Sequence, residues 1–173
     1  MLGNSYYQGQ GKKRPQTEPP LPEISPDLLN SPEGYRASRE LAAAVDVALT
    51  LGMPLLLTGE PGLGKSQLAH SLAWELGFGD VLEFTAKSDT QGSDLFYTFD
   101  TVGRFHASQT KEADADPRRF VNLNALGKAI LRAMPSEGLK ERLGPMVDGL
   151  HLDASGSRSV VLIDEIDKCY LKI

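Results

Sequence analysis

A chain of 173 residues, 40% hydrophobic and 24% charged, has the size and balance of one globular domain built on a single core. Its net charge of -5 and pI near 5.2 argue against a protein that works by coating nucleic acid, which needs a basic face. The single cysteine, Cys169, excludes an internal disulfide framework and a cysteine-based zinc cluster, and His70, His106 and His151 have no metal-ligand spacing.

Residues 1–32 hold six of the eleven prolines and few large apolar side chains, too few to offset the entropy of ordering, so a disordered N-terminal tail is expected. Its run Lys12, Lys13, Arg14 reads as a solvated basic patch. The folded part is expected over 33–173. It opens on a helix in "SPEGYRASRELAAAVDVALTLG", with Ser31 as cap, Pro32 at the first helical position, Leu41, Val45, Ala48 and Leu49 on one face, and Gly52 and Pro54 as the stop. Leu55 to Thr58 is too short for a core helix and reads as a buried strand. Lys65 to Leu76 puts Leu68, Ala69, Leu72, Ala73 and Leu76 on one stripe before Gly77, which predicts a second helix.

"DVLEFTA", residues 80–86, predicts a second strand. The polar stretch from Lys87 to Arg119 exceeds the roughly 15 residues at which a structureless loop becomes uncommon, so something is expected to be built there. Leu123, Leu126, Ile130 and Met134 recur at helical spacing and predict a helix over 122–134. Leu139, Leu143, Met146 and Val147 suggest a short helix broken at Gly144 and Pro145. Val160 to Ile163 is apolar on both faces, as in a parallel strand covered by helices. Strands alternating with helices predict an α/β fold with a parallel sheet. No run approaches the roughly 18 apolar residues of a membrane span, and no basic-then-apolar leader opens the chain, so no membrane partner and a cytoplasmic location are expected.

The most informative stretch is "GEPGLGKSQLA". Gly59, Gly64, Lys65 and Ser66 satisfy G-x-x-x-x-G-K-[ST] between a predicted strand and a predicted helix, the context in which that pattern cradles phosphate. Glycines let successive N–H groups turn inward, and the helix N-terminus adds its positive dipole end. Residues Gly59, Glu60, Pro61, Gly62, Leu63, Gly64, Lys65, Ser66 and Gln67 thus form the expected nucleotide-binding loop. Lys65 reaches the β and γ phosphates, and the Ser66 hydroxyl joins a Mg²⁺ shell. In "VVLIDEIDK", Asp164 leaves the carboxyl end of a strand, the edge where open α/β sheets bind ligands. Asp164 is the expected metal-organising carboxylate, and Glu165 the group that orients or polarises a water. Lys65, Asp164 and Glu165 are the catalytic candidates, Ser66 and Asp164 the metal candidates, and ATP with Mg²⁺ the expected cofactors.

These motifs, with "FTAKSDTQGSDLFYTFDTVGRFHASQ" and "FVNLNALGKAILRAM" between them, resemble an AAA+ ATPase, and more narrowly the MoxR-like group, over about residues 33 to 168. The resemblance implies a P-loop NTPase fold with helices on both faces of a parallel sheet. It also implies assembly into a homo-oligomeric ring, commonly a hexamer, and a remodelling or chaperone role on a protein substrate, such as a von Willebrand A-domain protein. Part of 93–121 would form an insert facing the ring centre, where Leu95, Phe96, Tyr97 and Phe99 either grip a substrate or pack as an ordinary hairpin. Tyr35 either borders the adenine or packs at the helix entry.

Measured against that family the chain shows strands 1 to 3 only, with no position for strands 4 and 5, a sensor residue, an arginine finger or a helical lid. In the family, strand 1 lies between strands 4 and 5, so Leu55 to Thr58 is expected to lack both neighbours unless it pairs directly with strand 3. The expectation is therefore a partial domain ending after the acidic motif, weakly folded alone and impaired in turnover. "CYLKI" departs from the family's polar helix start and suits a truncated or frame-shifted product, or the start of an intein. Two other readings stay open: a fragment that binds nucleotide or a partner without turnover, and a P-loop kinase, for which Glu165 and the missing arginine-rich lid fit less well.

Overall fold

A computed structural model describes residues 31–109, 116–148, 150–152 and 156–169. Most of the expected Pro-rich tail and the last residues of "CYLKI" lie outside them.

Ser31 caps, as expected, but what it caps is a single 3-10 turn, Pro32–Gly34. The helix proper, α1 (Arg39–Leu51), begins five residues after that turn, where the Ser38 hydroxyl accepts from the Leu41 N–H at 3.2 Å, and it ends at Gly52 in the left-handed region. Of its expected apolar face only Val45 is buried; Leu49 is exposed. The next helix, α2 (Lys65–Leu76), matches the prediction and stops at Gly77. Leu68 and Ala73 face the core, whereas Leu76 is exposed.

Strand β1 (Leu82–Thr85) falls inside the expected 80–86 segment. The long polar stretch does build structure. A 3-10 turn, Gly92–Leu95, leads into β2 (Tyr97–Phe99), then α3 (Thr101–Ser108) capped by the Asp100 carboxylate. A second 3-10 turn, Pro117–Phe120, enters β3 (Val121–Leu123), which pairs antiparallel with β2. That turn is pinned by Arg118, which forms a salt bridge with Asp116 at 2.6 Å and donates to the Arg142 carbonyl at 2.9 Å.

The pairing of β3 corrects the helix predicted over 122–134: Leu123 is spent on the ladder, and α4 runs from Ala125 to Ala133. Its packed side is also not the expected one. Ala125 and Gly127 are buried while Ile130 and Met134 are exposed, because the helix backbone closes on the chain ahead of β2. A Cβ at Gly127 would run into the Phe96 carbonyl oxygen. The short broken helix is present as α5 (Leu139–Leu143) followed by the 3-10 turn Gly144–Val147, with Leu139 and Val147 buried.

Strand β4 (Val161–Asp164) pairs parallel with β1, Leu82 opposite Val161 through Thr85 opposite Asp164. Helices α2 and α4 both pack against this ladder. The result is an α/β core built on a parallel ladder, the fold class that the sequence implies.

Leu55 to Thr58 is not a strand. Among the described residues it has no ladder partner, either across from β4 or elsewhere. A strand is a property of a pair, and an apolar run without a neighbour cannot form one. Leu56 is accordingly 72% exposed and Leu55 39%. With Ala43, Val47, Leu51 and Met53, Leu55 lines an apolar hollow of about 430 Å³ on the α1 side.

Candidate phosphate site

The loop between residue 58 and α2 turns on three glycines in conformations that a side chain resists: Gly59 at φ 142, Gly62 at φ 82 and Gly64 at φ 76. Gly64 is also the N-cap of α2 and offers no side-chain cap to the first-turn N–H groups. A helix of three turns thus presents its positive end uncapped beside the loop. Residues 59–63 are exposed, including Glu60, Pro61 and Leu63, while Gly64, Lys65, Ser66 and Gln67 are half-buried.

Lys65 turns back over its own loop and donates to the carbonyls of Gly59, at 3.0 Å, and Glu60, at 2.7 Å. The ammonium therefore sits over the loop with exchangeable partners. The Tyr35 ring edge stands beside the start of α2, where a Cβ on Gly64 would lie 3.2 Å from it.

Asp164 arrives from the other side of the sequence at the end of β4. The Ser66 hydroxyl donates to its Oδ2 at 2.9 Å, a part-buried hydrogen bond between residues 98 apart in the chain. Its Oδ1 accepts the Glu165 N–H at 2.9 Å. Glu165 has φ 57, the one left-handed non-glycine among the described residues. That reversal starts the 3-10 turn Ile166–Lys168, which brings Lys168 to Glu165. The Lys168 ammonium meets Oε1 at 2.6 Å. This hydrogen-bonded partner, aided by the charges of Asp167 and Asp164, holds the ammonium above its usual pKa.

The structure thus gathers Lys65 on the loop and joins Ser66 to Asp164 and, through the backbone, to Glu165. Lys168 is the neighbour that the sequence reading missed. The signal was present, since an acid and a base three residues apart in a helical turn face each other.

The donor chemistry fits Mg²⁺. Ser66 Oγ and Asp164 Oδ2 are hard oxygens already in contact, and Mg²⁺ takes one or two protein oxygens and completes its shell with phosphates and water. Among the described residues no three His, Cys, Asp or Glu side chains converge as an all-protein metal site.

With this geometry in hand, comparison with family models is informative: the model for the AAA domain, dynein-related subfamily, matches residues 54–173, more than half of the chain. The chain belongs to the AAA family. AAA domains in general bind nucleotide, carry ATPase-type activity and oligomerise. No curated protein and no solved structure matched the chain. The match spans both arms of the site, from the segment ahead of Gly59 to beyond Asp164. No helix of this AAA chain, among the described residues, is long and apolar enough to cross a membrane.

Proposed function

We propose that the chain binds ATP and takes part in its Mg²⁺-dependent hydrolysis within a MoxR-like remodelling ATPase. The observation that carries this reading is the 2.9 Å contact between Ser66 and Asp164, which puts the loop and the acidic strand end at one place. In this reading the inward N–H groups from Gly62 to Ser66 take phosphate oxygens, and Lys65 exchanges the Gly59 and Glu60 carbonyls for the β and γ phosphates. Bound Mg²⁺ would neutralise phosphate charge and polarise the transferred group. Asp164 and Ser66 would hold that ion through their oxygens, and Glu165 would orient the attacking water and take its proton.

The same reading makes the β2–α3–β3 unit the insert that meets a protein substrate. Tyr97 and Phe99 on β2, with Val102 and Phe105 on α3, leave large apolar surface in solvent, although Phe99 also packs edge-on against Phe120. By family resemblance the substrate is a von Willebrand A-domain type of protein, and the working form is a homo-oligomeric, hexameric ring in the cytoplasm.

A second reading, nucleotide binding without turnover, is favoured by the ion pair between Glu165 and Lys168, which engages the water-activating carboxylate. Phosphate release and nucleotide binding measured side by side separate the two. Turnover that disappears in Glu165→Gln while binding persists supports hydrolysis. Binding without any release by the wild-type chain supports the second. Equal binding by the wild type and Lys65→Ala would refute both.

A further inference from the structure

We propose that Lys168 is a positioning residue of the phosphate site: it compensates the charge of Glu165 and so lets a polyphosphate approach the acidic end of β4. The inference rests on the nucleotide reading above. Three carboxylates, Asp164, Glu165 and Asp167, crowd this strand end within four residues, and a triphosphate bound by the Gly62–Ser66 loop must lie beside the first of them. Like charges repel, and while bound Mg²⁺ would offset part of this charge, an ammonium held on Glu165 offsets a further part without touching phosphate.

Lys65 is on the loop side, over Gly59 and Glu60. Lys168 is on the acidic side, at 2.6 Å from Glu165 Oε1, with its backbone N–H donating to the Glu165 carbonyl at 2.9 Å. The backbone bond closes the turn that brings the two side chains together, and the ion pair holds the ammonium on Glu165. A continuous path then runs from Ser66 Oγ to Asp164 Oδ2, from Asp164 Oδ1 to the Glu165 N–H, and from Glu165 Oε1 to Lys168. An exposed ion pair whose only role is the turn itself contributes little to stability and nothing to ligand affinity. Coupling to nucleotide is what sets the proposal apart.

The test is the affinity of the full chain for Mg·ATP, measured by calorimetry at low salt, with circular dichroism as a check on folding. Lys168→Met is expected to bind about three- to fivefold more weakly than the wild type, a factor in keeping with an exposed ion pair, and Lys168→Arg is expected to restore the affinity. Combining Lys168→Met with Glu165→Gln should bring affinity back to that of Glu165→Gln alone, since neither charge then remains. Unchanged affinity in Lys168→Met would overturn the assignment. So would a double variant as weak as Lys168→Met, which would make Lys168 a direct phosphate contact. Failure of the wild type to bind Mg·ATP would overturn the nucleotide reading itself, and this inference with it.

Discussion

Asp164 ends a strand paired residue by residue with Leu82–Thr85, whereas Gly59 follows Leu55 to Thr58, which has no ladder partner among the described residues. The two arms meet at the Ser66 to Asp164 hydrogen bond, yet only one is anchored in a sheet. The loop is held instead from its far side, by α2 packing near β4, by Tyr35 against Gly64, and by the Ser66 to Asp164 hydrogen bond. The glycine loop therefore keeps its turn through glycine conformations and a helix start even though the segment leading into it is unpaired. What it forfeits is backbone protection, since amides outside a ladder are open to water.

The largest expected contrast between the two arms is in amide hydrogen exchange. Amides of Leu82–Thr85 and Val161–Asp164 should be protected about a hundredfold or more beyond those of Leu55–Thr58, because the ladder must open before they exchange. Comparable exchange in both segments would break the distinction. Leu82→Ala in the paired strand should cost about 2 to 4 kcal/mol in denaturant unfolding, whereas Leu56→Ala should stay within roughly 0.5 kcal/mol. The reason is burial: Leu82 is 8% exposed and Leu56 72%.

Gly64→Ala tests how the unpaired arm keeps its turn. At φ 76, with the Tyr35 ring 3.2 Å from the new methyl, it should lose about 1 to 2 kcal/mol, and adding Tyr35→Ala should recover only the steric share. Ser66→Ala removes the link between the arms. It should cost about 1 kcal/mol of stability by the same denaturant measurement, and it should raise exchange at the start of α2 more than in β1.

The arms also differ in how much of them the sequence disclosed. Glycine, lysine and serine at fixed spacing carry local chemistry, so the loop, α2 and Asp164 could be placed without any partner in view. Leu55 to Thr58 was expected to lack both neighbours, and does; what was misread is that an apolar run without a partner would still be a buried strand. Leu123 was assigned to a helix because a three-residue strand, Val121–Leu123, is too short to show an alternating period. The wrong face of α4 was chosen for a related reason. Periodicity favours large residues such as Ile130, but contact with the Phe96 carbonyl selects the residue with no side chain, Gly127. Ser38 was overlooked as a cap because Ser31, with proline after it, made the stronger local pattern.

The measurement that tests the central claim most directly is binding of ATP with and without Mg²⁺ to the wild type and to Asp164→Asn. If the loop and the strand end form one site, Mg²⁺ should tighten binding to the wild type by about tenfold or more, and Asp164→Asn should lose that gain while binding metal-free ATP at least as tightly as the wild type. A metal-dependent gain of the same size in Asp164→Asn would mean that the carboxylate and the loop serve different sites.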